Sequence, residues 1–292
     1  MEKISFLDIL IQSWRLSLAR KSFLFFGFLI ALPVASQFFL PFSENTLDTE
    51  ALWQLIIASP FTAFVLFCLS LLLNISGTGA LITLLFSELR PTIPKQIFTL
   101  SSFWSATKKT FYLDSFFGLL FIPIIFLVGL PSLISLLLFT EISQTLILLS
   151  TVVFIFIAAL TLFTYEFSLF YFLLSPLKLV TAIERGYLLF HKQHSPSLLF
   201  GLFSLLILIT FTFSVNLVML GGVVLFQGIF QNIFSESIVF FLISLCFLTW
   251  FAVFSQTLWL SFFVRLVSPK DPSLPESDEV LIKESIPEAP VA

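Results

Sequence analysis

Apolar residues in this chain neither alternate with polar ones nor keep to one helical face; they fill long uninterrupted runs. Uncharged stretches of 22 residues separate Lys21 from Glu44, 37 separate Glu50 from Glu88, 26 separate Asp114 from Glu141, and 24 separate Glu141 from Glu166. A further 43 lie between Lys192 and Glu236, with His194 their one titratable group, and 28 between Glu236 and Arg265. A helix needs about 20 apolar residues to cross ~30 Å of hydrocarbon, and six runs reach that length. Barrel strands alternate polar and apolar residues, which these runs do not. Lipid offers the backbone no partner, so the runs predict helices. The predicted spans are 22–40, 60–87, 113–139, 145–174, 198–226 and 238–266. Ser59-Pro60 predicts an N-cap with proline in the first turn. Pro33, Pro123 and Pro131 fall inside spans and predict kinks. Gln227, Gly228, Gln231 and Asn232 read as the loop leaving the fifth span.

Composition removes the alternatives. Hydrophobic residues make up 58% of the 292 and charged residues 11%, with 41 phenylalanines; a soluble domain carries about 25% charge. The fold expected is therefore all-α: a polytopic integral membrane protein of six transmembrane helices in three hairpins. Residues 1–268 form the membrane domain. Residues 269–292, with five prolines, read as a disordered cytoplasmic tail. A net charge of −3 carries no nucleic-acid signature.

The few charges orient the molecule. With these spans, one side holds the N-terminus, loops 88–112 and 175–197, and the tail, and it carries all 14 Lys and Arg residues. The other side carries only Glu44, Asp48, Glu50, Glu141 and Glu236. The positive-inside rule then places both termini in the cytoplasm of a bacterial-type plasma (inner) membrane. The first span begins too late and runs too long for a cleaved signal peptide.

The cytoplasmic connections are patterned. In residues 176–192, PLKLVTAIERGYLLFHK, the basic residues Lys178, Arg185 and Lys192 recur every seven positions, and Val180, Ile183, Tyr187 and Phe190 lie opposite. Such a helix lies in the headgroup plane. Residues 94–109, with Lys108 and Lys109 at their end, repeat the pattern more weakly. The N-terminus repeats it with Leu7, Ile11, Trp14 and Leu18 on one face. Trp14, Trp104 and Tyr187 precede Gly27, Gly118 and Gly201 by 13, 14 and 14 residues. We read three copies of one unit: interfacial helix, span, short turn, span. Interfacial contacts to anionic lipid headgroups are assigned to Lys178, Arg185, Lys192, Lys108 and Lys109.

The stretches ILIQSWRLSLARKSFLFFGFLIAL and SPLKLVTAIERGYLLF resemble the six-helix membrane domain found with some bacterial glycerophosphodiester phosphodiesterases, and its stand-alone relatives. The resemblance covers residues 1–268. It implies the membrane fold and no phosphodiesterase activity, because the chain has neither a soluble catalytic barrel nor the paired carboxylates and His of a metal-dependent phosphodiesterase.

No nucleotide-binding, metalloprotease or nucleophile-elbow motif occurs, so no catalytic residue, cofactor or metal site is assigned. Cys68 and Cys246 read as buried, inert thiols. His191 and His194 form H-x-x-H without a third ligand. Glu166 lies at membrane depth, where an ionisable group is a functional hypothesis by default. Its expected partners are Arg265 or Lys109. Asn74, Asn216 and Gln256 are expected to join helices by hydrogen bonds. Gly77-Thr78-Gly79-Ala80 and Gly221-Gly222 predict close helix approach or a local break. Two functional readings follow: a non-enzymatic organiser of membrane lipid or partner membrane proteins, and a transporter or permease subunit with a polar site at Glu166, Asn74, Asn216, Gln256 and Arg265.

Overall fold

A computed structural model describes residues 5–35, 60–89, 99–137, 142–229 and 236–267. These residues form eight helices and no strand: α1 (Phe6–Ala19), α2 (Lys21–Ala35), α3 (Pro60–Leu89), α4 (Leu100–Leu137), α5 (Ile142–Leu174), α6 (Leu179–Lys192), α7 (His194–Ile229) and α8 (Glu236–Leu266). Five of them, α3, α4, α5, α7 and α8, are long and apolar enough to cross a membrane. The chain is therefore an all-helical, multi-pass membrane protein. The predicted first span coincides with α2, whose 15 described residues follow α1 at an angle of 97°. The predicted outer loop 41–59 and the tail 269–292 lie outside the described residues.

Three boundaries differ from expectation: Gln227 and Gly228, read as the loop leaving the fifth span, belong to the last turn of α7, whose apolar run carries the helix on to Ile229. Residues 100–109 are not a separate interfacial helix: α4 runs unbroken from Leu100 through the third span. No residue there interrupts the 3.6-residue ladder, and Ala106, Thr107, Thr110 and Leu113 bury one continuous stripe. Pro176 precedes α6 instead of opening it; the N-cap is Lys178, in extended backbone. The helices also continue through Pro33, Pro123 and Pro131.

The described residues divide into two compact units, one within Met1–Thr107 and Leu198–Leu266, the other within Lys108–Ser197 and Val267–Ala292. In the first, α2 packs against both α3 and α8. Glycines set those distances. A Cβ on Gly27 would stand 2.5 Å from the Thr249 carbonyl oxygen and from Val253 Cγ2 of α8. One on Gly77 of α3 would stand 2.9 Å from the Phe26 carbonyl oxygen of α2. Gly77 therefore belongs to a close approach and α3 does not break there. No described atom lies within 4 Å of a Cβ built on Gly221, and α7 is also continuous. The helix α1 crosses α8, burying Ile9, Ser13 and Ser17, one residue per turn. Its N-cap Ser5 accepts from the Asp8 amide, and its last turn gives way to extended backbone at Arg20.

In the second unit, the C-terminal half of α5 is buried on every side, including Phe163, Phe167, Ser168, Leu169, Phe170 and Tyr171. The short helix α6 lies on it through Ala182 and Gly186, both buried. A Cβ on Gly186 would meet Ser168 Oγ and stand 2.7 Å from the Ser168 amide nitrogen. Phe163 and Phe190 stack at 5.1 Å beside this contact. Helices α1 and α6 are each 14 residues long and are each followed, after one residue, by a further helix.

The glycine contacts make a direct test. Gly27→Ala and Gly186→Ala force backbone apart and are expected to cost about 1–3 kcal/mol each. Gly118→Ala enters space with no atom within 4 Å and is expected to be neutral or slightly stabilising. Thermal unfolding of the purified variants in detergent checks the contrast; equal midpoints for all three would contradict it.

Candidate functional site

The expected polar residues do not converge on one another within either unit. Glu166, on α5, is 9% exposed, and its Oε2 makes no hydrogen bond. The expected ion pair with Lys109 does not form among the described residues, and Arg265 belongs to the other unit. Lys109 Nζ instead donates to the Ser175 carbonyl oxygen at 3.3 Å and lies 5.6 Å above the Phe172 ring. The reason is local: α5 ends at Leu174, and the carbonyls of its last turn need donors from outside the helix. Lys109 thus caps the end of α5 and is half-buried, whereas Lys108 is exposed. Arg265, exposed at the end of α8, donates to Gln12 Oε1 of α1 at 3.3 Å.

The three amides expected to join helices do not do so among the described residues. Asn216 is exposed on α7, Asn74 is half-buried on α3, and the buried Gln256 Oε1 has no hydrogen-bond partner. Cys68 and Cys246 are free and exposed, not buried. His191 stacks on Tyr187 at 6.1 Å, and His194 Nδ1 lies 3.3 Å from the His191 carbonyl oxygen. Among the described residues no group of three His, Cys, Asp or Glu side chains could hold a metal.

Two polar contacts outside the expected set are better defined. Tyr165, the neighbour of Glu166, donates its hydroxyl to Asp114 Oδ1 at 2.6 Å, while its ring meets Phe117 edge-on at 5.4 Å. This ties α5 to α4 beside Glu166, so a half-buried carboxylate and a buried one lie in the same region, with no salt bridge to either among the described residues. Beyond it, α4 and α5 border an apolar groove of about 480 Å³ with Gly118, Ala158 and Ala159 among its lining residues. In the other unit, the Arg20 guanidinium pairs with the Glu88 carboxylate, joining the α1–α2 elbow to the end of α3. Arg90, the basic residue two positions beyond Glu88 in the chain, lies outside the described residues. The signal for the Arg20–Glu88 pair was topological: both residues border spans on the side that collects the basic residues. Tyr165 carried no signal, because a tyrosine in an aromatic-rich run reads as filler.

Each unit carries one short helix with an exposed apolar face, α1 in the first and α6 in the second. Each buries a narrow face of small or aliphatic residues, Ile9, Ser13 and Ser17 in α1, Ala182 and Gly186 in α6. Each leaves an apolar stripe exposed: Leu7, Ile11, Trp14 (53%) and Leu18 in the first, Val180 (74%) and Tyr187 in the second. A polar stripe lies beside the first and across from the second, with Lys178, Arg185 and Lys192 all exposed on α6. Trp14 is steadied by Trp250, 4.8 Å away edge-on, and by Phe254.

No protein-family model matches the chain, and no match emerged among curated proteins or solved structures. Function must therefore be argued from the residues themselves.

The Tyr165–Asp114 bond gives a measurable coupling. In a double-mutant cycle of Tyr165→Phe and Asp114→Asn, followed by denaturation in mixed micelles, the interaction energy is expected to be about 1 kcal/mol. Strict additivity would mean that the two side chains do not cooperate.

Proposed function

We propose that this is a six-span protein of a bacterial-type plasma membrane, with both termini in the cytoplasm, that organises anionic lipid and partner membrane proteins without catalysing a reaction. The observation that carries the reading is the division of α6 into three faces. Ala182 and Gly186 turn to the protein, Val180 and Tyr187 are exposed and apolar, and Lys178, Arg185 and Lys192 are exposed and basic. A helix held against a membrane domain in this way lays its apolar stripe on acyl chains and its basic stripe at headgroups.

The internal repeat belongs to the same proposal. The α1 and α6 ranges differ by one constant offset, 179 − 6 = 192 − 19 = 173, and the following helices keep it, 194 − 21 = 173. That offset superposes Ile9 on Ala182, Ser13 on Gly186 and Trp14 on Tyr187. It favours common descent for these two copies; in the third, the interfacial segment has merged with its span. The resemblance to the membrane domain of glycerophosphodiester phosphodiesterases fits this arrangement and brings no phosphodiesterase chemistry with it.

The reading is tested with the full-length protein in vesicles that contain fluorescent phosphatidylglycerol. Replacing Lys178, Arg185 and Lys192 together by Gln is expected to remove up to ~3 kcal/mol of preference for the anionic lipid, at ~1 kcal/mol for each charge. The preference should also weaken in high salt. An unchanged preference in the triple variant would rule out the basic stripe as its source.

A second reading, a transporter or permease subunit, is favoured by one observation: the buried Glu166 oxygen without a hydrogen-bond partner. Glu166→Gln removes no ion pair, so the variant is expected to fold with an unchanged or higher unfolding midpoint. If the site carries transport, solute or proton flux in proteoliposomes should disappear in this folded variant. Undiminished flux, or loss of the fold, would end the reading.

A further inference from the structure

Between α1 and the end of α3 lies a polar cavity of about 360 Å³, lined by Asp8, Ile11, Gln12, Arg15, Leu16 and Glu88. Its walls are tied by two contacts already described. Arg20 holds Glu88, and Arg265 of α8 holds Gln12. The flanking arginines are therefore engaged. Inside the cavity, Asp8 and Arg15 have no ion-pair partner among the described residues. They lie seven residues apart on one stripe of α1, with side chains about 10 Å apart along the axis at their bases. Seven residues is too far for them to form the usual intrahelical pair, which needs a spacing of three or four.

We infer that this cavity binds the headgroup of a zwitterionic aminophospholipid, with Arg15 on the phosphate and Asp8 and Glu88 on the ammonium. The argument is complementarity. A guanidinium presents a planar fork that fits two phosphate oxygens, and carboxylates accept from the N–H groups of an amine. A purely anionic headgroup would bring the Asp8 carboxylate no donor, and would leave the Glu88 carboxylate with Arg20 alone. The lipid origin of the ligand follows from the cavity's border. Ile11 belongs both to the cavity lining and to the exposed apolar stripe with Leu7, Trp14 and Leu18. A ligand seated at Arg15 and Asp8 can therefore lay its acyl chains along that stripe. The inference rests on the reading of α1 as a headgroup-plane helix. It concerns residues that the anionic-lipid experiment on α6 leaves intact, so the two can fail separately.

The test uses the purified full-length protein, delipidated and then offered phosphatidylethanolamine or phosphatidylglycerol, with retained lipid counted by native mass spectrometry. Retention of the aminophospholipid is expected to exceed that of phosphatidylglycerol about tenfold, the effect of one charge-assisted hydrogen bond. Asp8→Asn and Arg15→Gln, both at exposed positions of α1, should each abolish the preference. On the unaltered protein, phosphatidylcholine should be retained less well, because methylation removes the N–H donors that the carboxylates need. Soluble glycerophosphoethanolamine at equal concentration should not displace the lipid. Equal retention of the ethanolamine lipid and either competitor lipid, or a preference that survives either substitution, overturns the site. Displacement by the soluble headgroup overturns the lipid assignment.

Discussion

Close backbone contact is the constraint on which this membrane protein depends. Apolar helices in lipid gain little from meeting one another, since the acyl chains they leave are as apolar as their side chains. Association must come from packing that lipid cannot match. Gly27 and Gly77 supply it on the two sides of α2, and Gly186 supplies it where α6 lies across Ser168. The Ser168 hydroxyl donates to the Thr164 carbonyl of its own helix at 2.5 Å, so the polar group at this crossing is satisfied within α5. Removing the side chain at each of these positions lets two backbones approach within reach of dispersion forces, which fall off steeply with separation.

The same physics decides what could be read from the amino-acid sequence. Element type and length were legible, because a run of uncharged residues is a statement about the solvent. The spans 60–87, 145–174 and 238–266 match α3, α5 and α8 to within three residues at either end. Which side of a span faces its neighbours was not legible, because inside and outside are equally apolar. Cys68 and Cys246 illustrate the point: both were expected in the interior on the strength of their apolar surroundings, and both are exposed. In a soluble protein the inference would have held, since water marks the outside. Here the informative residues are the small ones, and of the glycines singled out Gly77 sits in a close contact while Gly118 and Gly221 do not.

Polar residues were legible as unusual but not as partners. Charge sign suggested Lys109 or Arg265 for Glu166, yet both cations serve other acceptors, a carbonyl at a helix end and an amide on α1. A helix terminus also attracts cations, because its last carbonyls have no intrahelical donor. Asp114 is bonded to a tyrosine, and the Glu166 Oε2 has no hydrogen-bond partner among the described residues. Sequence patterning can find the carboxylate that lacks a reason; only geometry shows how its presumed partners are used.

Helices α1 and α6 mark where patterning and geometry agree. In α1 and α6 the residue before the aromatic is small and buried, Ser13 before Trp14 and Gly186 before Tyr187. One position of a helix turns the chain by about 100°. A buried small residue followed by an exposed aromatic therefore fixes both the docking face and the exposed apolar face of the same helix. The segment ending at Lys109 shows what happens without this pair. Phe103 stands before Trp104, too large for a close crossing, and α4 continues into its span without a turn. Phe103 instead reaches α2 through its ring, 6.3 Å from the Phe26 ring. Nothing then offsets the loss of helical hydrogen bonds that a break would require, and the straight helix is the lower-energy outcome.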